Sequence, residues 1–254
     1  MREIIAISNQ KGGVGKSTTA NALGALLALK GFKVLYVDMD AQGNLSFSMG
    51  AQNRPISTLE VLTGTATAKE AIVSTPQGDL IPASPALASA DAMITETGKE
   101  YRLKEALEPL AGAYDYAIID CPPALGILTV NALTACTGVV VPVQADAFSL
   151  QGVGLLAQTI KTVKKYCNPT LSLKGILATR YKGRAVLSKD MTELLEDTAA
   201  QLQTRLFKTK IRDAIAVPEA QASQVDLFTY APKSNVAEDY RAWGEELLAE
   251  EKTK

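Results

Sequence analysis

The sequence predicts an α/β fold, a single doubly wound and mostly parallel sheet with helices on both faces. Short apolar runs alternate along the chain with helical patterns, and these runs are apolar throughout, as in strands that are buried on both faces. A loop rich in glycine and lysine separates the first such run from the first helical pattern. With 254 residues, 47% of them hydrophobic, the chain can bury the core of one large domain. We therefore expect residues 1–254 to form a single domain.

The predicted strands and helices follow each other in a regular order. Strands are expected at residues 3–8, 33–38, 115–120, 138–143 and 173–179. The first helix should cover residues 16–30 and end near Gly31. Further helical patterns lie at residues 102–111, 126–136, 149–166, 186–204 and 235–250. Residues 43–100 have a weaker pattern, and there we expect short helices and one strand near Leu80 and Ile81.

The run KGGVGKST at residues 11–18 has the features of a phosphate-binding loop. A strand, a glycine loop and a helix in this order aim backbone N–H groups and the helix N-terminus at an anion. The glycines let the main chain approach oxygen atoms that a Cβ would block. Lys16 should then reach the β and γ phosphates of a nucleotide, and the Ser17 hydroxyl should bind magnesium. The alternative is a glycine-rich turn with incidental lysines, and the flanking strand and helix argue against it.

The loop departs from the strict phosphate-loop pattern at its first position. That pattern asks for a glycine five residues before Gly15, where this chain has Gln10. Lys11 follows, so the loop carries two lysines although one is enough to bind the phosphates of a nucleotide. The second lysine therefore needs a functional explanation of its own.

Three aspartates fall at the carboxyl ends of predicted strands, the edge at which parallel sheets bind ligands. Asp120 ends an apolar run, the expected position of a magnesium partner of the phosphate loop, with capping of the next helix as the alternative. Asp38 and Asp40 alternate at the end of another strand, so their side chains cannot point the same way while the chain is extended. One can lie near magnesium while the other orients an attacking water. The alternative is a polar turn after the strand.

Composition and charge narrow the possible chemistry. The chain contains no histidine, which excludes His-based triads and histidine metal sites, and its three cysteines lack metal-like spacing. We expect buried, reduced thiols in a cytoplasmic protein, because no apolar run approaches the roughly 20 residues of a membrane span and no signal peptide is present. Residues 161–212 hold 12 Lys/Arg against 4 Asp/Glu, although the formal net charge of the chain is −1. This asymmetry suggests a polyanionic partner, and solvated lysines on helix surfaces are the alternative.

Three motifs, taken in order, resemble those of the ParA/Soj chromosome- and plasmid-partition ATPases. They are KGGVGKST, VDMDAQGN at 37–44 and IIDCPP at 118–123. The resemblance continues through NALTA at 131–135, PVQ at 142–144 and APKSNVAEDY at 231–240, and so covers essentially the whole chain. These proteins belong to the deviant Walker A group of P-loop ATPases, together with the MinD cell-division regulators. The resemblance therefore implies a P-loop NTPase fold, ATP and Mg²⁺ as cofactors, and slow hydrolysis of ATP.

The resemblance also assigns roles to individual residues. In the family the loop-opening lysine, here Lys11, reaches across a nucleotide-sandwich dimer to the partner's ATP, where an added cation stabilises the charge of the transferred phosphate. Asp40 is implied to orient the hydrolytic water. Ser17 is implied to bind magnesium directly, and Asp38 and Asp120 to support it. The implied catalytic residues are Lys11, Lys16 and Asp40, and the implied nucleotide-binding residues are Lys11, Gly12, Gly13, Val14, Gly15, Lys16, Ser17 and Thr18.

Family members bind DNA nonspecifically as ATP dimers, and a ParB-type centromere-binding partner stimulates hydrolysis and releases them. Such affinity needs a basic surface but no readout of bases. The expected DNA-binding residues of this nucleoid-associated protein are Arg180, Lys182, Arg184 and Arg212. The chain departs from its relatives in the segment 211–219, where an alanine stands in place of a second functional arginine. Either Arg212 substitutes for that arginine, or DNA binding is weaker or differently placed. Near the adenine, Arg212 and Ala214 replace the proline and asparagine of relatives, so the base contacts and the DNA-binding surface stay open.

Several alternatives remain within the wider group. A MinD-like membrane-cycling ATPase would need a basic amphipathic C-terminal helix, whereas residues 245–251 are acidic and short of large apolar side chains. An iron–sulfur relative would need glycine-rich surroundings for Cys121 and Cys136, which are missing here. A cargo-positioning ATPase, which moves a protein cluster or organelle along the nucleoid, uses the same machinery and stays open. Since no N-terminal helix-turn-helix precedes the first strand, we do not expect specific operator binding.

Overall fold

The computed structural model describes residues 1–144, 149–181 and 187–249. Within these residues, seven strands form one sheet in the order β3-β4-β2-β5-β1-β6-β7. The strands are β1 (Glu3–Ile7), β2 (Val34–Asp38), β3 (Val73–Thr75), β4 (Gly78–Ile81), β5 (Tyr116–Asp120), β6 (Gly138–Gln144) and β7 (Ser172–Thr179). All neighbouring strands are parallel except β3, which pairs antiparallel with β4 at one edge.

Helices cover both faces of this sheet. They are α1 (Lys16–Leu29), α2 (Asn44–Ser48), α3 (Thr58–Thr63), α4 (Ala68–Ala71), α5 (Ala90–Met93), α6 (Arg102–Leu107), α7 (Ile127–Ala135), α8 (Ser149–Tyr166), α9 (Leu187–Gln201), α10 (Ala216–Ala222), α11 (Leu227–Tyr230) and α12 (Asn235–Ala249). No helix in the described part of the chain is long and apolar enough to cross a membrane.

The sheet separates two apolar cores, because successive side chains of a strand point to opposite faces. In β5, Ile118 belongs to one core together with Leu23 of α1 and Trp243 of α12. The next residue, Ile119, belongs to the other core together with Leu128 of α7. All of these side chains are at most 7% exposed. A strand that contributes to both cores must be apolar at every position, which explains the uninterrupted apolar runs of the sequence.

The doubly wound parallel sheet predicted from the sequence is confirmed. Two helices and one strand of the described chain have no counterpart in the sequence prediction. The strand β3 has three residues and lies at the edge, so it leaves no apolar run in the sequence. The helix α10 contains Pro218, which suggests a helix break, but Pro218 lies in the first turn, where no backbone N–H is required. The second unpredicted helix is α11, a single turn of four residues.

Two of the three cysteines are buried as expected. Cys121 and Cys136 are fully enclosed, and burial raises the pKa of the Cys136 thiol to about 12. Cys167 is only half-buried. All three are free of disulfide bonds.

The register of the central strands brings the predicted site residues to one edge. Asp120 at the end of β5 lies opposite Ile7 of β1 on one side and opposite Asp38 of β2 on the other. The glycine loop follows β1 directly, so it leaves the sheet beside both aspartates. The fold thus assembles the loop and the carboxylates at the carboxyl ends of the strands, where open α/β sheets bind ligands.

Gly24 in α1 allows that helix to pack closely against β2. A Cβ at this position would lie 2.3 Å from ring atoms of Tyr36, which is fully buried. We expect Gly24→Ala to lower the free energy of unfolding by about 1–3 kcal/mol through overpacking. The matched control is Gly154→Ala in α8, where a Cβ meets open space and the better helix propensity should add about 0.5–1 kcal/mol. Denaturant unfolding of both variants checks the prediction, and equal effects would contradict it.

Candidate nucleotide-binding site

The loop between β1 and α1 is open on its outer side. Gly13 and Gly15 have φ values of +73° and +86°, in the left-handed region that favours glycine. A Cβ at Gly12, Gly13 or Gly15 would meet no described atom within 4 Å, so there is free space above the loop. Val14, by contrast, is fully buried, and the Thr179 hydroxyl donates a hydrogen bond of 2.8 Å to its carbonyl oxygen. The loop therefore presents its main chain outward, as an anion site requires.

Asn9 fixes the start of the loop, although the sequence pattern did not single it out. Its side-chain amide donates to the Pro142 carbonyl oxygen at 2.7 Å. Its Oδ1 accepts a hydrogen bond of 3.0 Å from the Lys11 backbone N–H. Because Pro142 lies on β6, far away in sequence, only the folded chain reveals this role.

The Lys16 ammonium is held inside the loop. Its Nζ donates a hydrogen bond of 3.0 Å to the Lys11 carbonyl oxygen, and the residue is only 7% exposed. Burial lowers the pKa of Lys16, and the negative charges of Asp120 and Asp40 oppose this effect. The ammonium is thus preorganised in a partly desolvated position, where its attraction for an anion is stronger than at an exposed surface.

Asp38 and Asp120 are both fully buried, but their hydrogen bonding differs. Asp38 accepts three hydrogen bonds, from the Asp40 backbone at 3.1 Å, from the Ser46 backbone at 2.8 Å and from the Ser46 hydroxyl at 2.7 Å. Neither oxygen of Asp120 has a hydrogen-bond partner in the described part of the chain, although the nearby Ser17 hydroxyl lowers its pKa against the larger effect of burial. Asp120 is therefore the aspartate whose oxygens are available to a cation.

Burial raises the pKa of both carboxyls. The pKa of Asp38 rises to about 6, mainly because the charged form is desolvated, and its hydrogen bonds from Ser46 oppose the rise. The pKa of Asp120 is raised well above its ordinary value by burial first and by the neighbouring charge of Asp38 second. A buried, unsatisfied carboxylate fits a magnesium ion, because a hard divalent cation would restore the lost solvation. For Asp38 the hydrogen bonds favour a role in fixing the turn to Ser46, so its assignment to magnesium stays a prediction.

Asp40 faces the open side of the loop. Its backbone N–H is bound to Asp38, and its Oδ1 accepts a hydrogen bond of 3.1 Å from the Gln42 backbone N–H. It lines a cavity of about 440 Å³, which we call the phosphate cavity. The phosphate cavity is lined by Gly12, Gly13, Gly15, Lys16, Ser17, Thr18, Asp40, Gln42, Asn44, Pro123 and Gln221. The structure thus brings together most of the residues predicted for nucleotide binding, with Asp38 and Asp120 buried beneath them.

A second cavity of about 510 Å³ adjoins the first, and we call it the outer cavity. Both cavities are lined by Gly13, Gly15, Thr18 and Gln221. The Gln221 amide donates a hydrogen bond of 3.0 Å to the Thr18 hydroxyl, which ties α10 to the loop. The rest of the outer cavity is formed by Thr179, Arg180, Ile211, Arg212, Asp213, Ala214, Ile215, Val217, Pro218 and Tyr240. Together the two cavities are large enough for a nucleotide whose phosphates lie on the loop.

Two of the four arginines and lysines assigned to DNA lie at the outer cavity. Arg180 has a φ of +50° and contacts the loop, because its Nη1 donates to the Gly13 carbonyl oxygen at 3.4 Å. It also forms an ion pair with Asp213, at 3.4 Å between Nε and Oδ1. Arg212 donates to both carboxylate oxygens of Asp239, at 2.7 and 2.8 Å. Both guanidinium groups are therefore compensated by carboxylates, which weakens their case as DNA ligands.

The other two DNA assignments, Lys182 and Arg184, lie outside the described residues. Exposed cations are found elsewhere in the basic segment, on α8, at Lys161, Lys164 and Lys165. Exposed lysines of the basic segment therefore lie on α8, whereas Arg180 contacts the glycine loop and Arg212 pairs with Asp239 of α12.

Comparisons with known proteins agree on the family of this chain. The profile of the AAA_31 family, an AAA domain, matches residues 2–173. The sporulation initiation inhibitor protein Soj of Bacillus subtilis is 39% identical over 254 residues, which cover 98% of this chain and 99% of Soj. The chromosome partitioning protein ParA of Myxococcus xanthus is 38% identical over 250 residues, which cover 96% of this chain and 87% of that protein.

A solved structure with nucleotide has the same fold. The cobyrinic acid a,c-diamide synthase of Mycobacterium smegmatis, with a bound ATP analog and magnesium, superposes with a TM-score of 0.87 at 38% sequence identity. The superposition covers 100% of this chain and 97% of that structure. The likeness therefore includes every strand and helix that forms the two cavities.

Asp120 should make the ligand-free protein less stable at neutral pH. In the unfolded chain its pKa is near the ordinary value of about 4, and in the folded chain it is raised, so ionisation costs folding free energy above that pH. We expect Asp120→Asn to raise the free energy of unfolding at pH 7 by roughly 1–3 kcal/mol. The gain should disappear below about pH 4, where the carboxyl is neutral in both states.

Urea unfolding between pH 3.5 and 7, with a chelator present, measures this difference. Asp38→Asn is the matched control, since its carboxylate already accepts three hydrogen bonds and asparagine cannot replace all of them. Burial raises the pKa of Asp38 to about 6, so its ionisation also costs folding free energy at pH 7, but the lost hydrogen bonds offset that relief. We therefore expect Asp38→Asn to gain clearly less stability at pH 7 than Asp120→Asn. A destabilised Asp120→Asn protein at pH 7 would contradict our view that this carboxylate is unsatisfied.

Proposed function

Because this chain belongs to the ParA/Soj type of the MinD/ParA family of P-loop ATPases, we propose that it is a DNA-partition ATPase whose ATP-bound dimer binds DNA. The protein is a ParA-like ATPase that uses ATP and Mg²⁺. Dimer formation, DNA binding and release by a ParB-type partner belong to the proposal. The observation that carries it is the phosphate cavity, where Lys16, Asp40 and the glycine loop meet above the buried Asp120.

The chain's own residues can bind and orient the reacting groups. The loop N–H groups and the Lys16 ammonium would bind the β and γ phosphates. Ser17 and Asp120 would hold magnesium, which when bound neutralises charge on these phosphates. Asp40, at the wall of the phosphate cavity, is the aspartate that can accept a hydrogen bond from an attacking water. Asp38 supports this arrangement, since its carboxylate fixes the Asp40 backbone.

Lys11 has a position that supports a role in the partner subunit. Its backbone binds Asn9 and Lys16, so the residue is fixed at the start of the loop. The described linings of the phosphate cavity and of the outer cavity do not include it. A cation next to the phosphate cavity can stabilise the transferred phosphate of a second subunit, in the manner of an arginine finger. We therefore assign Lys11 to catalysis in trans.

The basic segment supports nonspecific binding of DNA. Lys161, Lys164 and Lys165 are exposed along α8, and phosphate neutralisation by such residues is enough for nonspecific affinity. Lys174, by contrast, is mostly buried in an ion pair with Glu3 and cannot contribute. We propose that the DNA surface includes α8 together with Lys182 and Arg184. A single domain over residues 1–254, a cytoplasmic and nucleoid-associated location and a slow turnover complete the proposal.

Amide synthesis is the competing function, because the mycobacterial protein of similar structure is named a diamide synthase. Partition and amide synthesis differ in whether ATP hydrolysis needs an acceptor acid. The names of the two curated relatives favour partition and regulation over synthesis. Hydrolysis of ATP that is stimulated by DNA and a ParB-type protein, with no acid present, separates the two functions.

Substitutions of the two loop lysines should have different effects on ATP binding and on dimer formation. Lys16→Ala removes the buried ammonium, and we expect ATP affinity to fall by roughly 100-fold or more. Lys11→Ala keeps the carbonyl that binds Lys16, so ATP should still bind with an affinity within about threefold of the wild type, while the ATP dimer no longer forms. Calorimetry measures the affinity, and light scattering after gel filtration measures the mass. If Lys11→Ala loses ATP binding as Lys16→Ala does, the role in trans is wrong.

Asp40→Ala should separate binding from hydrolysis. ATP should bind as in the wild type, while hydrolysis falls by roughly 100-fold or more because no carboxylate orients the water. ATP-bound protein should then accumulate as a stable dimer. The control is Asp197→Ala, which removes an exposed aspartate of α9. Hydrolysis by Asp40→Ala at the wild-type rate would show that another group orients the water.

The stable ATP-bound dimer of the Asp40→Ala variant can also be used to test the proposed DNA surface. We expect it to bind DNA of arbitrary sequence with an affinity that falls with salt, and the slope reports the number of phosphates contacted. Lys164→Glu or Arg184→Glu in this background should weaken DNA binding and leave the dimer intact. Lys69→Glu, an exposed charge reversal on α4, should change neither. Unchanged DNA binding in both test variants would move the DNA surface elsewhere.

A further inference from the structure

One half-buried side chain in the turn between β3 and β4, that of Gln77, joins three helical elements. Its Oε1 accepts a hydrogen bond of 2.9 Å from Asn21 Nδ2 of α1. Its Nε2 donates to two main-chain carbonyl oxygens, that of Ser48 at the end of α2 at 2.6 Å and that of Gln224 just after α10 at 2.9 Å. The amide therefore uses its acceptor oxygen and both donor hydrogens in contacts between separate elements.

The three partners of Gln77 lie close in sequence to residues that line the phosphate cavity. The lining residues in question, one each from α1, α2 and α10, are Thr18, Asn44 and Gln221. The partners Asn21, Ser48 and Gln224 follow them by three, four and three residues, which is about one turn of a helix. The described linings of the two cavities do not include Gln77 itself. Gln77 therefore joins, from outside the cavity, the same three elements that form part of its wall.

The chain after α10 is also bound to α2 directly. Gln224 Nε2 donates a hydrogen bond of 3.1 Å to the Phe47 carbonyl oxygen. Gln224 has a φ of +54°, a left-handed conformation that a residue other than glycine keeps only where its contacts enforce it. The orientation of the Gln77 amide is equally restricted, because the reversed amide would place its oxygen against two carbonyl oxygens. The end of α2 and the end of α10 are thus held together from both sides.

The position of α2 affects Asp40, the aspartate that we assign to the attacking water. α2 begins four residues after Asp40, and the Asp40 carboxylate accepts a hydrogen bond from the Gln42 backbone N–H in the connection between them. A displacement of α2 would therefore move Asp40. Lys16 and Asp120, by contrast, lie at the start of α1 and at the end of β5. Binding of phosphate and magnesium by these residues depends much less on α2.

We propose that Gln77 is a positioning residue for ATP hydrolysis, which holds α1, α2 and the end of α10 in the arrangement that places Asp40 at the phosphate cavity. This inference rests on the proposed ATPase function. Gln77 acts through the three elements that it joins and not through contact with the nucleotide. Because an attacking water must be oriented closely, a displacement on the order of 1 Å is enough to slow hydrolysis, whereas phosphate binding on the loop tolerates it.

Gln77→Met tests the proposal, because methionine has a similar length and flexibility but makes none of the three hydrogen bonds. We expect the turnover number for ATP with magnesium to fall roughly tenfold or more, while the affinity for ATP stays within about threefold of the wild type. Hydrolysis at saturating ATP measures the first quantity and calorimetry the second. The matched control is Ser74→Ala, which removes the hydrogen bond to Asp79 within the same hairpin and should leave both quantities unchanged.

Gln77→Glu separates the contact with α1 from the contacts with α2 and α10. The carboxylate has the shape of the amide and still accepts from Asn21, but it places an oxygen against the carbonyls of Ser48 and Gln224. We expect turnover to fall at least as far as in Gln77→Met, again with little change in ATP affinity. Wild-type turnover in either Gln77 variant, equal losses of turnover and ATP affinity, or an equal loss of turnover in Ser74→Ala would each overturn the proposal. If the wild type hydrolyses no ATP, the proposed function itself fails.

Discussion

The pairing of two buried aspartates at the ends of neighbouring strands is the constraint on which the site depends. The parallel register places Asp38 of β2 directly opposite Asp120 of β5, and both side chains are fully buried. Two carboxylates in such a place repel each other and lose their hydration, so the bare chain can neutralise them only in part. Ser46 satisfies Asp38, and Lys16 lowers the cost for Asp120 without forming a hydrogen bond to it. The charge of the buried Asp120 carboxylate stays poorly solvated, and a bound cation would compensate it.

The same arrangement relates stability to function in the loop. Lys16 is desolvated before any ligand arrives, and its hydrogen bond to the Lys11 carbonyl holds it beneath the open glycines. A charged group that is already oriented and dehydrated costs little reorganisation when an anion binds. Asn9 and Thr179 contribute to this order, because they fix the loop backbone to β6 and β7. The fold therefore stores part of the binding free energy as unfavourable burial of charge in the ligand-free protein.

A site residue could be predicted from the sequence only where it belongs to a short local pattern. The glycine loop, Lys16 and the strand-end aspartates were predictable, since each belongs to a short pattern with its own strand or helix. Gln221 was not, because its contact with Thr18 joins residues 203 positions apart. Arg180 was assigned to DNA from the charge of its segment, and Arg212 as a substitute for an arginine of the family. Neither argument registers their ion pairs with Asp213 and Asp239. Charge counts overestimate a basic surface wherever the fold brings acids to the bases.

The end of β7 joins three parts of the molecule. Arg180 donates to the Gly13 carbonyl in the loop, and Tyr181 pairs with the segment of Arg212 at the outer cavity. Lys182 and Arg184, assigned to DNA, follow in sequence at once. A nucleotide bound at Gly13 would therefore act directly on Arg180, which is two residues before Lys182 in the sequence. Coupling between two sites requires an element that both ligands bias, and the contact of Arg180 with the Gly13 carbonyl oxygen connects the loop to this end of β7 directly. The left-handed backbone at Arg180 supports this coupling, because a non-glycine residue keeps a φ of +50° only where surrounding contacts enforce it.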